Sequence, residues 1–262
     1  MTPGRRLVFR TAATVTVAAL AADVMTGCGR AALPAHALAQ IRSAAPTTPP
    51  PPTAPAPAPV RPAPLGHDGL PEVHSQIKTT DKVVFITVDD GWQKDPGFVK
   101  LIRDRKIPIT VFLMNDAAKE NYGYFRQLQQ AGALIEDHTL IHPVMTRLSY
   151  AQQKYQICHS ADLYARQYGV RPTLFRAPYG ISNNTTRRAA KACGMRALFL
   201  WKETARGTIL YQVRGGLHPG DVILVHFLPH MTRNFLAMLK RIEKQGFTPA
   251  AFKDYLPAGY FQ

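Results

Sequence analysis

The sequence of 262 residues lacks a hydrophobic run long enough to cross a membrane comfortably. Its N-terminal apolar stretch extends from about Thr11 to Ala22, whereas a spanning helix needs about 20 such residues. A long basic run is also missing, although 32 Lys and Arg outnumber 17 Asp and Glu and the net charge is +15. The missing run argues against a nucleic-acid partner, whereas the surplus charge favours contact with anionic polymers.

Residues 1–28 have the organisation of an export signal. Arg5, Arg6 and Arg10 precede the apolar stretch, and small residues then lead to Cys28 in VMTGC. VMTGC resembles the lipobox of bacterial lipoproteins, which implies that Cys28 is lipidated, and RRLVF resembles a twin-arginine signal. A plain secretory signal and a transmembrane anchor are the alternatives. We expect an exported protein, held by lipid on the outer face of the bacterial cytoplasmic membrane or secreted.

Residues 29–66 are predicted to be a proline-rich disordered linker. Proline has no amide hydrogen and a fixed φ, so PTTPPPPTAPAPAPVRPAP predicts an extended spacer rather than a helix or sheet. Residues 67–262 have the length of one domain, which we expect to be a monomer. Six of the Lys and Arg and one acidic residue precede it, which leaves 26 against 16, so the domain itself is basic.

Short apolar runs alternate with helical patterns along this domain. The runs lack polar alternation, so they predict strands buried on both faces of a parallel sheet that is joined by helices. The predicted strands are 82–88, 108–114, 133–137, 172–176, 196–201 and 221–227. The predicted helices are 96–105, 119–131, 149–168, 184–193 and 231–245.

Cysteine is scarce, with three residues in the chain. If Cys28 carries lipid, Cys158 and Cys193 remain, each in a predicted helix. In an oxidising compartment the two could form a disulfide, whereas two buried free thiols are the alternative.

Polar or aromatic groups follow nearly every predicted strand at its C-terminal end. In α/β folds these ends meet at one rim, where sites form. The groups are Asp89 and Asp90, then Asp137, His138 and His142, then Arg176, Trp201 and His226.

His138 and His142 lie four residues apart, a spacing that on a helical turn directs both imidazoles toward one metal ion. The pair lacks the glutamate of HExxH proteases, so the general base must come from elsewhere. Of the two adjacent acids, one can be a third ligand and the other the base, and a cation would relieve their repulsion. An acidic Asp-Gly turn is the structural alternative. A non-haem iron site has similar ligands, but the extra Asp89 argues against it.

VDDG, HTLIHP, FRAPYG and LVH, in this order and spacing, resemble the motifs of the polysaccharide deacetylases of carbohydrate esterase family 4, the NodB-homology domain. The resemblance covers residues 82–250. It implies an α/β fold of the distorted (β/α)7 barrel type and metal-dependent removal of N- or O-acetyl groups from a polysaccharide. The predicted anchor and spacer favour peptidoglycan or another cell-wall glycan as the substrate.

The resemblance also implies the roles of individual residues. Asp90, His138 and His142 would bind a divalent metal, usually Zn²⁺ in this family. Asp89 would be the general base, and Arg176 would pair with Asp89 and orient it.

Further roles follow for residues around the expected metal. Pro178 and Tyr179 would form a groove wall, and the Tyr179 amide would help to stabilise the oxyanion. Trp201 would form another wall, Leu224 would line the pocket for the acetyl methyl group, and His226 would be the general acid.

One family motif is missing. An aspartate followed by Asp-Trp is expected after the fifth strand, where this chain has FLWKETARGT. Glu203 is the nearest carboxylate, and Thr204 stands about where the aspartate is expected. Without that carboxylate, His226 should hold its proton less firmly. A catalytically weak or inactive glycan-binding member of the same fold is therefore the alternative function.

Overall fold

The structure is a computed structural model that describes residues 62–211 and 215–261. Its strands are β1 (Glu72–His74), β2 (Val83–Asp90), β3 (Thr110–Leu113), β4 (Leu134–Asp137), β5 (Leu174–Phe175), β6 (Ala197–Phe199), β7 (Glu203–Ala205), β8 (Ile209–Tyr211), β9 (Val222–His226) and β10 (Thr248–Pro249). Its α-helices are α1 (Pro96–Arg105), α2 (Asn115–Ala118), α3 (Tyr122–Gln130), α4 (Tyr150–Tyr168), α5 (Asn184–Ala192), α6 (Met231–Lys244) and α7 (Phe252–Tyr255).

The strands form one sheet in the order β1-β6-β5-β4-β3-β2-β9-β7-β8, and β10 pairs with β2. Neighbouring strands are parallel except for the antiparallel hairpin of β7 and β8. Helices connect most of the parallel strands, as the alternating pattern predicted.

All six predicted strands and five predicted helical regions are present, and α1 has its predicted bounds. The predicted helix 119–131 is wrong in its first turn, because α2 ends at Ala118 and α3 starts at Tyr122 with Asn121 as its N-cap. Strands β1, β7, β8 and β10 were not predicted. They contain only two or three residues, too few for a hydrophobic period.

The two faces of β2 are buried by different partners. Val84, Ile86 and Val88 pack in the cluster beneath α1, α3 and α6, whereas Phe85 belongs to the interior cluster. Inside, the Phe252 ring lies 5.2 Å from the Phe85 ring and 4.5 Å from that of Phe199. Aromatic side chains therefore fill the interior below the carboxyl ends of the strands.

The side chains of β2 continue to alternate between the two faces of the sheet as far as the site. Thr87 pairs with Leu224, and Asp89 pairs directly with His226 on the neighbouring parallel strand. Because paired residues share a face and every second residue repeats it, Asp89 and His226 both lie above the aromatic interior.

A disulfide joins Cys158 of α4 to Cys193, the residue that follows α5. The sequence separation of 35 residues corresponds to about 3–4 kcal/mol of stabilisation in the chain-entropy description. The structure therefore has the bonded alternative rather than two free thiols.

No helix in the described part of the chain is long and apolar enough to cross a bilayer. The predicted signal peptide, Cys28 and the linker up to residue 61 lie outside the described residues. Pro62 forms an isolated bridge with Gly259, and Ala63 is buried in the interior cluster. The domain boundaries stay predictions.

Candidate active site

Asp90, His138 and His142 form a candidate metal centre, with one ligand atom from each lying within 4.8 Å of the others. Asp90 Oδ1 is 3.7 Å from His138 Nε2 and 3.6 Å from His142 Nε2. That oxygen is buried and has no hydrogen-bond partner among residues 62–211 and 215–261. An orphaned carboxylate oxygen that faces two imidazole nitrogens fits a divalent cation.

The two histidines meet on a loop, so the expected helical turn is wrong. Thr139 and His142 have φ values of 74° and 57°, and Thr139 Oγ1 accepts the His142 amide at 3.0 Å. His138 Nδ1 lies 2.7 Å from the Arg176 carbonyl, which leaves Nε2 to face Asp90. Burial, reinforced by His142, lowers the pKa of His138, so its imidazole is neutral as a metal ligand requires.

This loop is held by groups to which the sequence had given no role. Asp137 Oδ1 accepts the Thr139 amide at 2.8 Å and lies 2.7 Å from Ser160 Oγ. Gln156 Oε1 accepts the amides of Leu140 and Ile141, both at 3.2 Å. Asp137 was visible as a polar residue at a strand end. Ser160 and Gln156 lie in α4 without a comparable local signal.

Arg176 holds Asp89 from below and is fully buried. Its guanidinium lies 4.3 Å from the centroid of the Phe112 ring. It donates to Asp89 Oδ1 (2.7 Å), Thr87 Oγ1 (2.8 Å), the Phe199 carbonyl (3.0 Å) and the Leu200 carbonyl (3.0 Å). The structure thus has the expected Asp89–Arg176 pair. It adds Thr87, whose only sequence signal was a hydroxyl inside the apolar run VVFITV.

The adjacent acids share one site because the strand ends irregularly. A regular strand would direct Asp89 and Asp90 to opposite faces, but Asp90 has a left-handed φ of 75°. Asp90 is thereby turned toward the side on which Asp89 lies, and Asp89 Oδ2 is 3.8 Å from His138 Nε2, close to the metal ligands. Burial raises the pKa of Asp89 and outweighs the opposing effect of Arg176, which makes this carboxylate a stronger proton acceptor.

His226 is supported differently. Among the described residues, no side chain forms a hydrogen bond with its imidazole. Thr204 pairs with Leu224 in the sheet, and Glu203 lines a separate pocket with His218 and Asp221, near the start of β9. Neither residue provides the carboxylate that the missing motif would bring to His226.

The remaining predicted residues line the same rim. Tyr179 is 58% exposed, and its ring lies 4.6 Å from that of His142. Pro178 and Leu224 are buried. Trp201 packs closely on Gly180, where a Cβ atom would lie only 3.0 Å from the indole. Tyr179 therefore lies against a candidate metal ligand, Trp201 lies against the Pro178–Gly180 turn, and Leu224 lies in β9 two residues before His226, while Cys28 lies outside the described residues.

These features define an α/β protein with a carboxylate–histidine site at the carboxyl rim of a parallel sheet. The sequence profile of the family described as polysaccharide deacetylase matches residues 76–198. An uncharacterised protein of Streptomyces coelicolor is 41% identical over 196 residues, which cover 71% of this chain and 78% of that protein. The chain belongs to the polysaccharide deacetylase family of carbohydrate esterases.

Two further relatives connect this family to an activity and to a fold. The peptidoglycan-N-acetylglucosamine deacetylase PgdA of Listeria monocytogenes is 25% identical over 64% of this chain, which spans only 37% of that enzyme. A family 4 pseudoenzyme from Bacillus anthracis superposes with a TM-score of 0.63 at 18% identity, covering 71% of this chain and 69% of the other. The expected distorted (β/α)7 barrel class is confirmed.

Proposed function

We propose that this protein removes acetyl groups from an N- or O-acetylated polysaccharide, with peptidoglycan or another cell-wall glycan as its substrate. One observation carries the proposal: buried Asp89 lies beside the Asp90–His138–His142 cluster and directly opposite His226 in the sheet. A proton acceptor, a metal centre and a proton donor are the groups that acyl hydrolysis needs. The Listeria relative supports the substrate class.

The metal ligands in this proposal are Asp90, His138 and His142, and the cation is Zn²⁺. Two imidazoles and one carboxylate leave coordination positions open, as catalytic zinc sites do. When bound, the cation supplies Lewis acidity that polarises the acetyl carbonyl and makes water more acidic.

Asp89 accepts the proton of the attacking water, and Arg176 keeps that carboxylate oriented. The Tyr179 amide donates a hydrogen bond to the oxyanion of the tetrahedral intermediate. His226 then donates a proton to the departing sugar nitrogen or oxygen, and acetate is released. Leu224 borders the acetyl methyl group, while Pro178 and Trp201 shape the walls of the groove.

A glycan-binding protein with weak or no catalysis is the second candidate. His226 favours the glycan-binding candidate, because no described side chain forms a hydrogen bond with its imidazole and orients it for proton donation. The similarity in fold to a pseudoenzyme is compatible with either function.

The location is also proposed from the sequence. A signal peptide, lipidation at Cys28 and the proline-rich linker would place a monomeric domain on the outer face of the cytoplasmic membrane, or release it by secretion. The positive charge of the domain suits a wall rich in anionic polymers.

Mass spectrometry of peptidoglycan fragments and acetylated chitooligosaccharides tests the function. Incubation with the zinc-loaded protein should yield products that have lost acetyl groups. Chelator-treated protein should yield none above background, and the Asp89→Asn variant should yield far less product than the wild type in the same time. Saturable oligosaccharide binding without release of acetate from any substrate would favour the glycan-binding candidate instead.

A further inference from the structure

The chain has two tryptophans, and they differ in their exposure to solvent. Trp201 is half-buried against the interior cluster. Trp92 is 49% exposed and belongs to none of the three apolar clusters formed by the described residues. An exposed aromatic side chain becomes a candidate binding residue when other exposed apolar groups lie around the same site.

The backbone around Trp92 is nevertheless fixed. Gly91 has a φ of 115°, and a Cβ atom there would lie 2.9 Å from the Phe125 ring. Lys94 Nζ donates to the Trp92 carbonyl at 3.2 Å and to the Ala117 carbonyl at 2.9 Å, and it pairs with Glu120 at 2.8 Å. Trp92 is thus exposed on an ordered loop, a preorganised arrangement that lowers the entropic cost of binding.

The position of Trp92 identifies the ligand that it could meet. It follows the metal-ligand candidate Asp90 by two residues. Ile141, between the two histidines, is 57% exposed, and Tyr179, against His142, is 58% exposed. Exposed apolar side chains therefore lie near the metal cluster both on the loop after Asp90 and on the side of the histidines. The ammonium group of Lys94 is already bound to Glu120 and to two carbonyl groups. A neutral ring with an apolar face suits such a surface better than an anion does.

We propose that Trp92 is a specificity-determining residue that stacks on a pyranose ring of the glycan, adjacent to the sugar that loses its acetyl group. This inference rests on the proposed function, because the polysaccharide is the occupant. The C–H face of a pyranose ring is apolar and packs flat on an indole, while its hydroxyl groups remain in water. The contact would select a polymer over a free monosaccharide, because only a polymer has a second ring to place there.

Fluorescence tests the contact independently of catalysis. In a Trp201→Phe variant of the full chain, Trp92 is the sole tryptophan. Titration with an N-acetylated chitooligosaccharide should shift its emission to shorter wavelength in a saturable manner, whereas N-acetylglucosamine alone should not. If that variant fails to fold, the difference between the wild-type and Trp92→Phe titrations gives the same signal. A Trp92 emission that is unchanged at saturating oligosaccharide would overturn the proposal.

The steady-state kinetics of Trp92 variants provide a second test of the stacking contact. Trp92→Ala should raise the KM for the oligosaccharide about tenfold, the effect of losing one stacked ring, with a smaller change in kcat. Trp92→Phe should recover part of the loss. Val170→Ala is a control, because Val170 is 60% exposed in the segment that leads from α4 into the start of β5, at the opposite ends of the strands from the rim, and the KM of this variant should equal that of the wild type.

The two proposals fail in different ways. Acetate release by the wild type with an unchanged KM in Trp92→Ala contradicts the role of Trp92 and leaves the deacetylase function standing. A saturable shift of Trp92 emission without acetate release from any substrate contradicts the deacetylase function and supports the stacking contact.

Discussion

The two sides of the site differ in how they are held. On the side of the proposed base, Asp89 is bound by a fully buried arginine whose guanidinium has four hydrogen-bond acceptors and lies against an aromatic ring. On the side of the proposed acid, His226 is positioned by the register of β9 against β2, and no described side chain forms a hydrogen bond with its imidazole. Asp89 and His226 are nevertheless direct partners in the sheet.

In the proposed mechanism, this contrast means that the group that accepts a proton is held more firmly than the group that donates one. A base fixed by a buried charge is already in place before substrate arrives. A proposed acid without a hydrogen-bonded carboxylate has no side-chain partner that fixes the orientation of its ring. The dependence of the rate of acetate release on His226 should therefore vary with the leaving group of the substrate.

The largest expected effect is on the base side. Asp89→Asn should lower kcat for an acetylated oligosaccharide by about 10²–10⁴-fold, the range for loss of a general acid or base. Bound zinc, measured by elemental analysis, should stay near that of the wild type, because Asp90 and the histidines are retained. Full activity in a zinc-loaded variant would contradict the assignment of Asp89 as the base.

Removal of the buried arginine should destabilise the whole domain. Arg176→Met leaves Asp89 as an uncompensated buried charge, so the free energy of unfolding should fall by about 3–5 kcal/mol in urea titrations. Lys100→Met is the matched control. Lys100 pairs with Asp104 on the surface of α1, and because solvent screens such an exposed pair, its loss should leave the free energy of unfolding nearly unchanged. Equal losses in the two variants would contradict the view that the buried arginine holds Asp89 more firmly than a surface ion pair holds its partner.

A change on the acid side should depend on the substrate. His226→Ala should slow release of acetate from N-acetyl sugars by about 10²-fold, the lower end of the range for loss of a general acid, because an amine must be protonated to leave. Hydrolysis of p-nitrophenyl acetate should change much less, since p-nitrophenolate departs without a proton. Equal slowing of both substrates would show that His226 does more than protonate the leaving group.

The smallest expected effect is that of Asp95, whose carboxylate connects the helix that follows β2 to the helix that follows β9. Its carboxylate accepts the Gly97 amide at 2.9 Å, as the N-cap of α1, and the Thr232 hydroxyl at 2.6 Å in α6, which follows β9. Asn keeps an oxygen that can cap α1 but replaces Oδ2, the acceptor for Thr232, with an amide group, so Asp95→Asn should cost about 1 kcal/mol of unfolding free energy at neutral pH, the net worth of a typical hydrogen bond.

The sign of its pH dependence follows from the pKa. Burial acts to raise the pKa of Asp95, but hydrogen bonds from Thr232, Gly97 and Phe98 outweigh it and lower that pKa. The stabilisation is present above the unfolded pKa of about 3.9 and is lost as the pH falls through the folded pKa. Urea titrations of both proteins should therefore converge on acidification. A gap that persists at strongly acidic pH would contradict a charged role for Asp95.

The sequence by itself determined the class of fold, the order of the main elements and the chemical types at the site. These features depend on local patterns: apolar runs make strands, Asp95 and Pro96 begin α1 at its predicted residue, and the motifs carry their side chains in order. It also determined that the fourth motif lacks its aspartate.

Only the tertiary structure decided how these groups meet. The left-handed backbone of Asp90 and His142, the contact of Ser160 with Asp137, and the partners of Arg176 all depend on residues far apart in the chain. Register decided that Asp89 faces His226, and packing left Trp92 exposed on a fixed loop while Trp201 was partly buried. The physical reason is that such contacts are set by how strands align and how side chains fill the interior, and no local window of sequence contains that information.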